Sequence, residues 1–106
     1  MLSVTDETFA TTVLGADTPV VVDVWAQWCP PRRVIERSLV EIAEEFGDRI
    51  AVVALNADDS PAVARTYGVM SLPTLLVFTS GELVGRVVGA RPKSVLRETI
   101  RAYAAS

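Results

Sequence analysis

A run of β-branched residues that leads directly into a helical stripe most constrains the fold of this chain. Residues 19–26, P-V-V-V-D-V-W-A, have the composition of a strand that is buried on both faces. Residues 31–46 then carry apolar side chains at steps of four, three and four, which predicts one buried face of a helix that Gly47 ends. A buried strand followed at once by an amphipathic helix indicates an α/β protein.

The rest of the sequence continues this alternation. Spacing and turn residues predict further elements: a helix in residues 6–14 with Thr5 or Asp6 as its cap, a strand at 50–56, a short helix from Ser60 and Pro61 to Gly68, a strand at 74–78, a hairpin turn at Ser80 and Gly81, a strand at 83–88, and a last helix from Pro92. Asp58 and Asp59 are interpreted as a turn that caps the short helix. This order predicts one domain, residues 1–106, with a mixed central β-sheet flanked by helices on both faces.

Composition excludes several classes of function. The chain has 106 residues with 13 acids against 10 bases, so we expect no nucleic-acid partner, which would need clustered Lys and Arg. Its apolar runs are too short to span a bilayer, and its first seven residues lack the regions of a signal peptide. We therefore expect no membrane partner and a cytoplasmic location. One cysteine and no histidine exclude an internal disulfide and His–Cys catalysis, and we expect neither a metal site nor a cofactor.

The single cysteine, Cys29, stands in the segment W-C-P-P-R-R, between the predicted strand and the first turn of the predicted helix. Backbone N–H groups and the helix dipole converge there, and Arg32 and Arg33 add positive charge. Both effects favour the thiolate, which is the nucleophile. The two prolines fit a first helical turn, where N–H groups have no partners anyway. We expect an exposed and reactive Cys29, and the alternative is a buried, inert cysteine.

Three segments carry a resemblance to a known family. Residues 20–33, V-V-V-D-V-W-A-Q-W-C-P-P-R-R, resemble the active-site segment of thioredoxins, in which a buried Asp precedes W-C-G-P-C-K. Residues 67–78, Y-G-V-M-S-L-P-T-L-L-V-F, are similar to that family's loop and strand around a cis-proline, and residues 83–89 to its closing hairpin. The segments keep the family's order and cover nearly the whole chain. The resemblance implies a thioredoxin-like fold.

The resemblance also implies a role for each matching residue. Cys29 matches the attacking cysteine that forms a mixed disulfide with a substrate, and Asp23 matches the buried acid that handles the proton of a second cysteine. Substrate contacts are implied for the residues around the groove: Trp28, Pro30, Pro31, Leu72, the cis-proline Pro73 and Gly89.

The departures from the family pattern cluster around the same site. Arg32 holds the position of the second, resolving cysteine, so a dithiol reductase cycle cannot close within this chain. Pro30 replaces the usual glycine, Arg37 the helix-kinking proline, and Ala54 the usual lysine near the buried acid. Thioredoxin reductase is not an expected partner, because it acts on an internal disulfide that one cysteine cannot form.

Buried carboxylates are rare unless they are paired, so Asp23 within V-V-V-D-V-W needs an explanation. Asp23 either faces a water-filled pocket, or is protonated with a raised pKa, or forms a buried ion pair with Arg32 in place of the acid–thiol pair. Of the two tryptophans, Trp25 is predicted to lie in the core, and Trp28 to be a partly exposed wall of the site.

Three functions remain open. The first is monothiol thiol–disulfide exchange through Cys29 with disulfide-containing or thiol-bearing proteins, in which an outside thiol such as glutathione releases the substrate. The second is a redox-silent module that binds extended peptides or acts as a chaperone. The third is an iron–sulfur site shared by two chains, against which the bulky Pro-Pro-Arg loop argues.

Overall fold

A computed structural model describes residues 1–29 and 32–104. Its strands are β1 (Leu2–Val4), β2 (Val20–Trp25), β3 (Ala51–Asn56), β4 (Thr74–Thr79) and β5 (Glu82–Val88). Its helices are a π-helix (Ala10–Leu14), α1 (Arg32–Phe46), a 3₁₀ turn (Gly47–Arg49), α2 (Pro61–Thr66) and α3 (Lys93–Tyr103). In the described residues no helix is both long and apolar enough to cross a membrane.

The strands form one mixed sheet in the order β1-β3-β2-β4-β5. The first three strands run parallel, β4 is antiparallel to β2, and β5 is antiparallel to β4. Strand β2 lies at the centre, which explains its nearly continuous apolar sequence. The predicted mixed sheet is confirmed.

Alternate residues of β2 point to opposite faces of the sheet, and each face carries its own core. Val20, Val22 and Val24 pack with the residues that the π-helix and α2 contribute, such as Val13 and Val63. The other face is covered by α1 and α3, whose buried residues form the second core with Val21: Ile35, Leu39, Ile42, Phe46, Leu96 and Ile100. The predicted helical stripe of α1 is therefore buried, and helices flank both faces. Asp23 and Trp25 share the strand face of Val21, toward α1.

The amino-terminal region differs from the prediction in two ways. Strand β1 was not expected, because three residues with an exposed Leu2 give no recognisable pattern. The predicted α-helix in residues 6–14 is wrong in type and length. The structure has a turn followed by a π-helix at Ala10–Leu14, in which the N–H of Gly15 donates to the carbonyl of Ala10 at 2.9 Å.

Asp6, considered as a cap for its own helix, caps a different one. Its carboxylate oxygens accept hydrogen bonds from the N–H groups of Ala62 and Val63 at 3.1 and 3.0 Å. These N–H groups belong to the first turn of α2, where they have no partners within the helix. The N–H of Asp6 in turn donates to Oγ of Ser60 at 3.2 Å. This reciprocal contact fastens the amino-terminal segment to α2.

The hairpin between β4 and β5 is as predicted. Ser80 and Gly81 both have positive φ, at 51° and 81°, as a two-residue type I′ turn requires. The register between β4 and β5 shifts between Val77 and Phe78 of β4. On β5, the side chain of Tyr103 lies over Gly85. The hairpin places Val88, the last residue of β5, beside Thr74, the first residue of β4.

Candidate active site

The ends of three strands bring the residues of the site together. The carboxyl end of β2 lies beside the amino end of β4, because Val24 pairs with Thr74, and Thr74 also pairs with Val88 at the carboxyl end of β5. Cys29 follows β2, Pro73 precedes β4 and Gly89 follows β5, so all three lie at the same edge of the sheet. The N–H of Gly89 donates to the carbonyl of Pro73 at 2.9 Å, which joins two of these ends directly.

Cys29 is held in a backbone turn between β2 and α1. Its N–H donates to the carbonyl of Ala26 at 3.0 Å, and its own carbonyl accepts from the N–H of Arg32 at 3.2 Å. The residue is only 5% exposed, so the expectation of an exposed cysteine is wrong. The turn closes onto Ala26, which is itself fully buried, and thereby draws Cys29 against the sheet edge. Position between a strand and a helix does not reveal this direction.

Trp28 is the exposed aromatic residue of the site. It is 65% exposed, in agreement with the prediction, and its indole Nε1 donates to Oδ2 of Asp58 at 3.1 Å. Asn56, at the end of β3, fixes Asp58 because its Oδ1 accepts from the N–H groups of Asp58 and Asp59. The sequence predicts only a turn before α2 at these aspartates and does not predict the hydrogen bond from Trp28. The Asn-x-Asp spacing signals the turn, but nothing in it signals an indole donor from 30 residues away.

The loop before β4 forms another part of the sheet edge. The peptide bond between Leu72 and Pro73 is cis. Pro73 is buried, Leu72 is half-buried, and Met70 is 94% exposed. Oγ1 of Thr74 donates to the carbonyl of Ser71 at 2.6 Å and ties the loop to the start of β4.

Asp23 is buried in the middle of β2, on the face that α1 covers. The pKa of Asp23 is raised from 3.8 to about 7, mainly by burial and in smaller part by the carboxylate of Glu36, and the guanidinium of Arg32 opposes both effects. Oδ1 of Asp23 has no hydrogen-bond partner in the structure. A pKa of about 7 means that the protonated and ionised forms are both populated near neutral pH. The structure thus agrees with a carboxyl of raised pKa.

Arg32 does not form an ion pair with Asp23, which was one of the three arrangements that the sequence left open. Its guanidinium lies over Trp25, with Cζ 3.7 Å from the ring centroid, and Nη2 donates to Oε2 of Glu36 at 3.4 Å. Trp25 projects from the same strand face as Asp23, and Glu36 lies one helical turn after Arg32, so both offer closer partners. Arg32 therefore acts on Asp23 only through space. Trp25 is half-buried beneath the guanidinium, so the prediction that it lies in the core is wrong.

Four further positions are singled out by the sequence: Pro30, Pro31, Arg37 and Ala54. Pro30 and Pro31 lie outside the described residues, so their predicted substrate contacts and their fit to a first helical turn stay predictions. Ala54 is buried and pairs in register with Asp23, which leaves no cation on β3 beside the carboxyl. Arg37 is exposed on α1, and the helix runs without a break through it.

Comparison with known proteins identifies the family. The Thioredoxin family model matches residues 1–102. A thioredoxin of Porphyra purpurea is 48% identical over 100 residues, which cover 94% of each chain. A thioredoxin of Streptomyces clavuligerus is 52% identical over 94 residues, covering 89% of this chain and 87% of its own. Thioredoxin 1 of a Nostoc strain is 46% identical over 100 residues, again 94% of each chain.

The chain belongs to the thioredoxin family.

Membership confirms the fold that the sequence predicted, and it gives meaning to the departures at the site. In this thioredoxin-family chain the position of the second cysteine is held by Arg32, and Cys29 is the only cysteine among 106 residues. Where the family pattern has a small thiol, this chain has the guanidinium of Arg32, which stacks on Trp25. A thioredoxin scaffold is therefore combined with a site that holds one thiol.

Proposed function

We propose that this chain is a monothiol member of the thioredoxin family, which exchanges disulfides through Cys29 and relies on an outside thiol to finish the cycle. The observation that carries the proposal is the position of Cys29. The only cysteine of the chain lies at the sheet edge where the cis Leu72–Pro73 bond and Gly89 also lie. Disulfide-containing or thiol-bearing proteins are the proposed substrates, and glutathione is a proposed outside thiol.

The cycle balances without a second cysteine in the chain. The thiolate of Cys29 attacks one sulfur of a substrate disulfide, the old S–S bond breaks, and the other substrate sulfur leaves as a thiolate that takes a proton. An outside thiolate then attacks the Cys29 sulfur and releases the substrate as a dithiol. A second outside thiolate frees Cys29 and departs as a disulfide. Two outside thiols are oxidised for each substrate disulfide that is reduced.

The surrounding residues have proposed parts in this cycle. Trp28, exposed and held by Asp58, is a wall against which a substrate segment packs, and the backbone of Leu72 binds that segment. Asp23 is a proposed acid–base group, because its pKa of about 7 lets it take up or release a proton near neutral pH. The thiol that the family's acid serves is absent here, so Asp23 has lost one of its partners.

The burial of Cys29 favours a second candidate. A cysteine that is 5% exposed, next to a Trp28 that is 65% exposed, also fits a groove that binds peptides without chemistry. That module needs the apolar surface of Trp28 and Leu72 but not the sulfur. The two candidates differ in one respect: the peptide-binding module keeps all of its activity in Cys29→Ser.

The experiment combines loss and gain of a thiol. Reduced native protein is mixed with a glutathionylated client protein, and the release of glutathione and the appearance of adducts are followed by intact mass. We expect exchange in the wild type and none in Cys29→Ser. Reduction of a substrate disulfide without any outside thiol is expected only in reduced Arg32→Cys. Unchanged client binding in Cys29→Ser, together with no exchange in the wild type, would support the peptide-binding module instead.

A further inference from the structure

The first two turns of α1 present arginines that the fold does not use. Arg32, Arg33 and Arg37 fall within six residues, and of these only Arg32 turns inward, onto Trp25 and Glu36. Arg33 and Arg37 are exposed, and among the described residues neither has a carboxylate within ion-pair distance. Four residues apart on a helix, their Cβ atoms lie roughly 6 Å from each other on one face. The two guanidiniums, here called the arginine pair, are thus available to an outside ligand.

The arginine pair lines a surface groove along α1, and the two acids that line the same groove are each paired with a cation. Glu36 accepts from Arg32, and Glu41 pairs with Lys93 on α3 at 3.1 Å. The groove is completed by Val40, which is half-buried and uncharged. The local charge is therefore set by the arginine pair, although the whole chain has a net charge of −3. An excess of positive charge on a chain that is negative overall points to an anionic ligand at this place.

The arginine pair begins four residues after Cys29, and two exposed apolar side chains lie close to it in the sequence. Val34, between the two arginines in sequence, is 68% exposed, and Trp28, next to Cys29, is 65% exposed. A small anionic ligand would use the guanidiniums alone. A protein segment that carries both acidic and apolar residues near its cysteine matches all of these features.

We propose that Arg33 and Arg37 form a substrate-docking patch that selects protein segments whose exchanging cysteine is flanked by acidic residues. The inference rests on the proposed monothiol function, since it names the substrate class of that same site. Charges at the rim of an interface act mainly on the association rate and on its dependence on salt. The preference for acidic segments is therefore a matter of rate, and it weakens as salt screens the charges.

The experiment uses three peptides of equal length, each with a central cysteine in a mixed disulfide with nitrothiobenzoate. The flanks are Glu, Gln or Lys. Attack of the Cys29 thiolate on the peptide sulfur forms the protein–peptide disulfide and releases the coloured thiolate, which is followed by absorbance. Each rate is divided by the rate of the same peptide with β-mercaptoethanol, which corrects for the intrinsic reactivity of the peptide disulfide.

We expect the wild type to react at least threefold faster with the Glu peptide than with the Gln peptide, and slowest with the Lys peptide, at low salt. Arg33→Gln combined with Arg37→Gln abolishes this order. The matched control, Arg49→Gln combined with Arg101→Gln, removes the same charge from the 3₁₀ turn after α1 and from the last turn of α3. It should keep the order of the three rates. Equal rates for the three peptides in a reactive wild type would overturn the docking patch while monothiol exchange still stands.

A second arm keeps the two proposals separate. Binding of the same peptides with serine in place of cysteine is measured by titration, in which no exchange is possible. If no peptide disulfide reacts, monothiol exchange fails, and a Glu-over-Gln binding preference that depends on the arginine pair still supports the docking patch. No such preference overturns it. The docking patch would also be overturned if the double variant lost its reaction with glutathione disulfide while its rates with the three peptides stayed unchanged. That result would assign the arginine pair to the binding of a small anionic thiol.

Discussion

The guanidinium of Arg32 lies 3.7 Å from the centroid of Trp25, on the strand face from which Asp23 also projects. The cation at the position of the missing thiol therefore rests on an aromatic ring and a neighbouring glutamate, while the buried acid keeps an oxygen without a partner. This arrangement accounts for two properties. It makes Arg32 only moderately important for stability, and it leaves Asp23 with a strongly raised pKa.

Replacement of Arg32 should have a modest effect on stability and a clear effect on Asp23. Arg32→Ala removes a partly exposed stacking contact and an i,i+4 ion pair, together about 1 kcal/mol of the free energy of unfolding. It also removes the cation that lowers the pKa of Asp23, so that pKa should rise. Chemical denaturation and an NMR titration of the Asp23 carboxyl measure both. Arg33→Ala is the control for the first, and a pKa that falls in Arg32→Ala would contradict the account.

The stability of the fold should depend on pH through Asp23. The folded protein holds the Asp23 proton with a pKa of about 7, against 3.8 for an ordinary aspartate, so the folded state loses stability as pH rises from about 4 to 7. A shift of about three pH units corresponds to about 4 kcal/mol. The stability of Asp23→Asn relative to the wild type should therefore increase by about this amount over that range and level off above pH 7. A constant difference across pH would show that Asp23 ionises as it does in the unfolded chain.

The contact of Asp6 with α2 should contribute as a helix cap does. Asp6→Ala leaves the N–H groups of Ala62 and Val63 without their carboxylate, and we expect a loss of about 1 kcal/mol in the free energy of unfolding. Asp6→Asn keeps an acceptor oxygen and should lose less. Thermal and urea unfolding measure both, with the exposed Glu7→Ala as the control. Equal stability of Asp6→Ala and Glu7→Ala would remove the cap from the account.

Gly85 should be coupled to Tyr103. A Cβ on Gly85 would lie 2.6 Å from the hydroxyl oxygen of Tyr103, which donates to the carbonyl of Val84 at 3.1 Å. Gly85→Ala should displace the tyrosine and cost about 1 kcal/mol or more. The same substitution in a Tyr103→Ala background should cost much less, because the clash is gone. A double-mutant cycle measures this coupling, and additive effects would mean that the ring does not constrain Gly85.

The sequence predicts the parts of this structure that depend on periodic apolar patterns. The β-branched run of β2 and the stripe of α1 are long enough to specify burial, and the positive φ values at Ser80 and Gly81 follow from the residue types that a tight hairpin needs. Strand β1 is not predicted because it is three residues long and its pairing with β3 joins residues 51 positions apart, such as Leu2 and Val53. Such pairing is a tertiary effect without a local pattern.

The fine geometry of the site was less predictable for the same reason. The sequence placed Cys29, Trp28 and Pro73 in one region through the family resemblance, but it did not show where each side chain turns. Cys29 is buried because its turn closes onto Ala26. Trp25, Glu36 and Asp23 are all possible partners of Arg32, and only the folded structure shows which of them it contacts. Where a residue has several possible partners, tertiary packing determines which contact forms, and sequence spacing does not reveal it.

Glutathionylation of the folded protein is the direct test of monothiol exchange through Cys29. Reduced native protein is incubated with glutathione disulfide near neutral pH, and the fraction of chains that carry one glutathione on Cys29 is followed over time by intact mass, with Cys29→Ser as the blank. We expect a single adduct that forms without unfolding and is reversed by added glutathione. An adduct that forms only when denaturant unfolds the chain would contradict this expectation, since a buried Cys29 would then be inert in the folded protein.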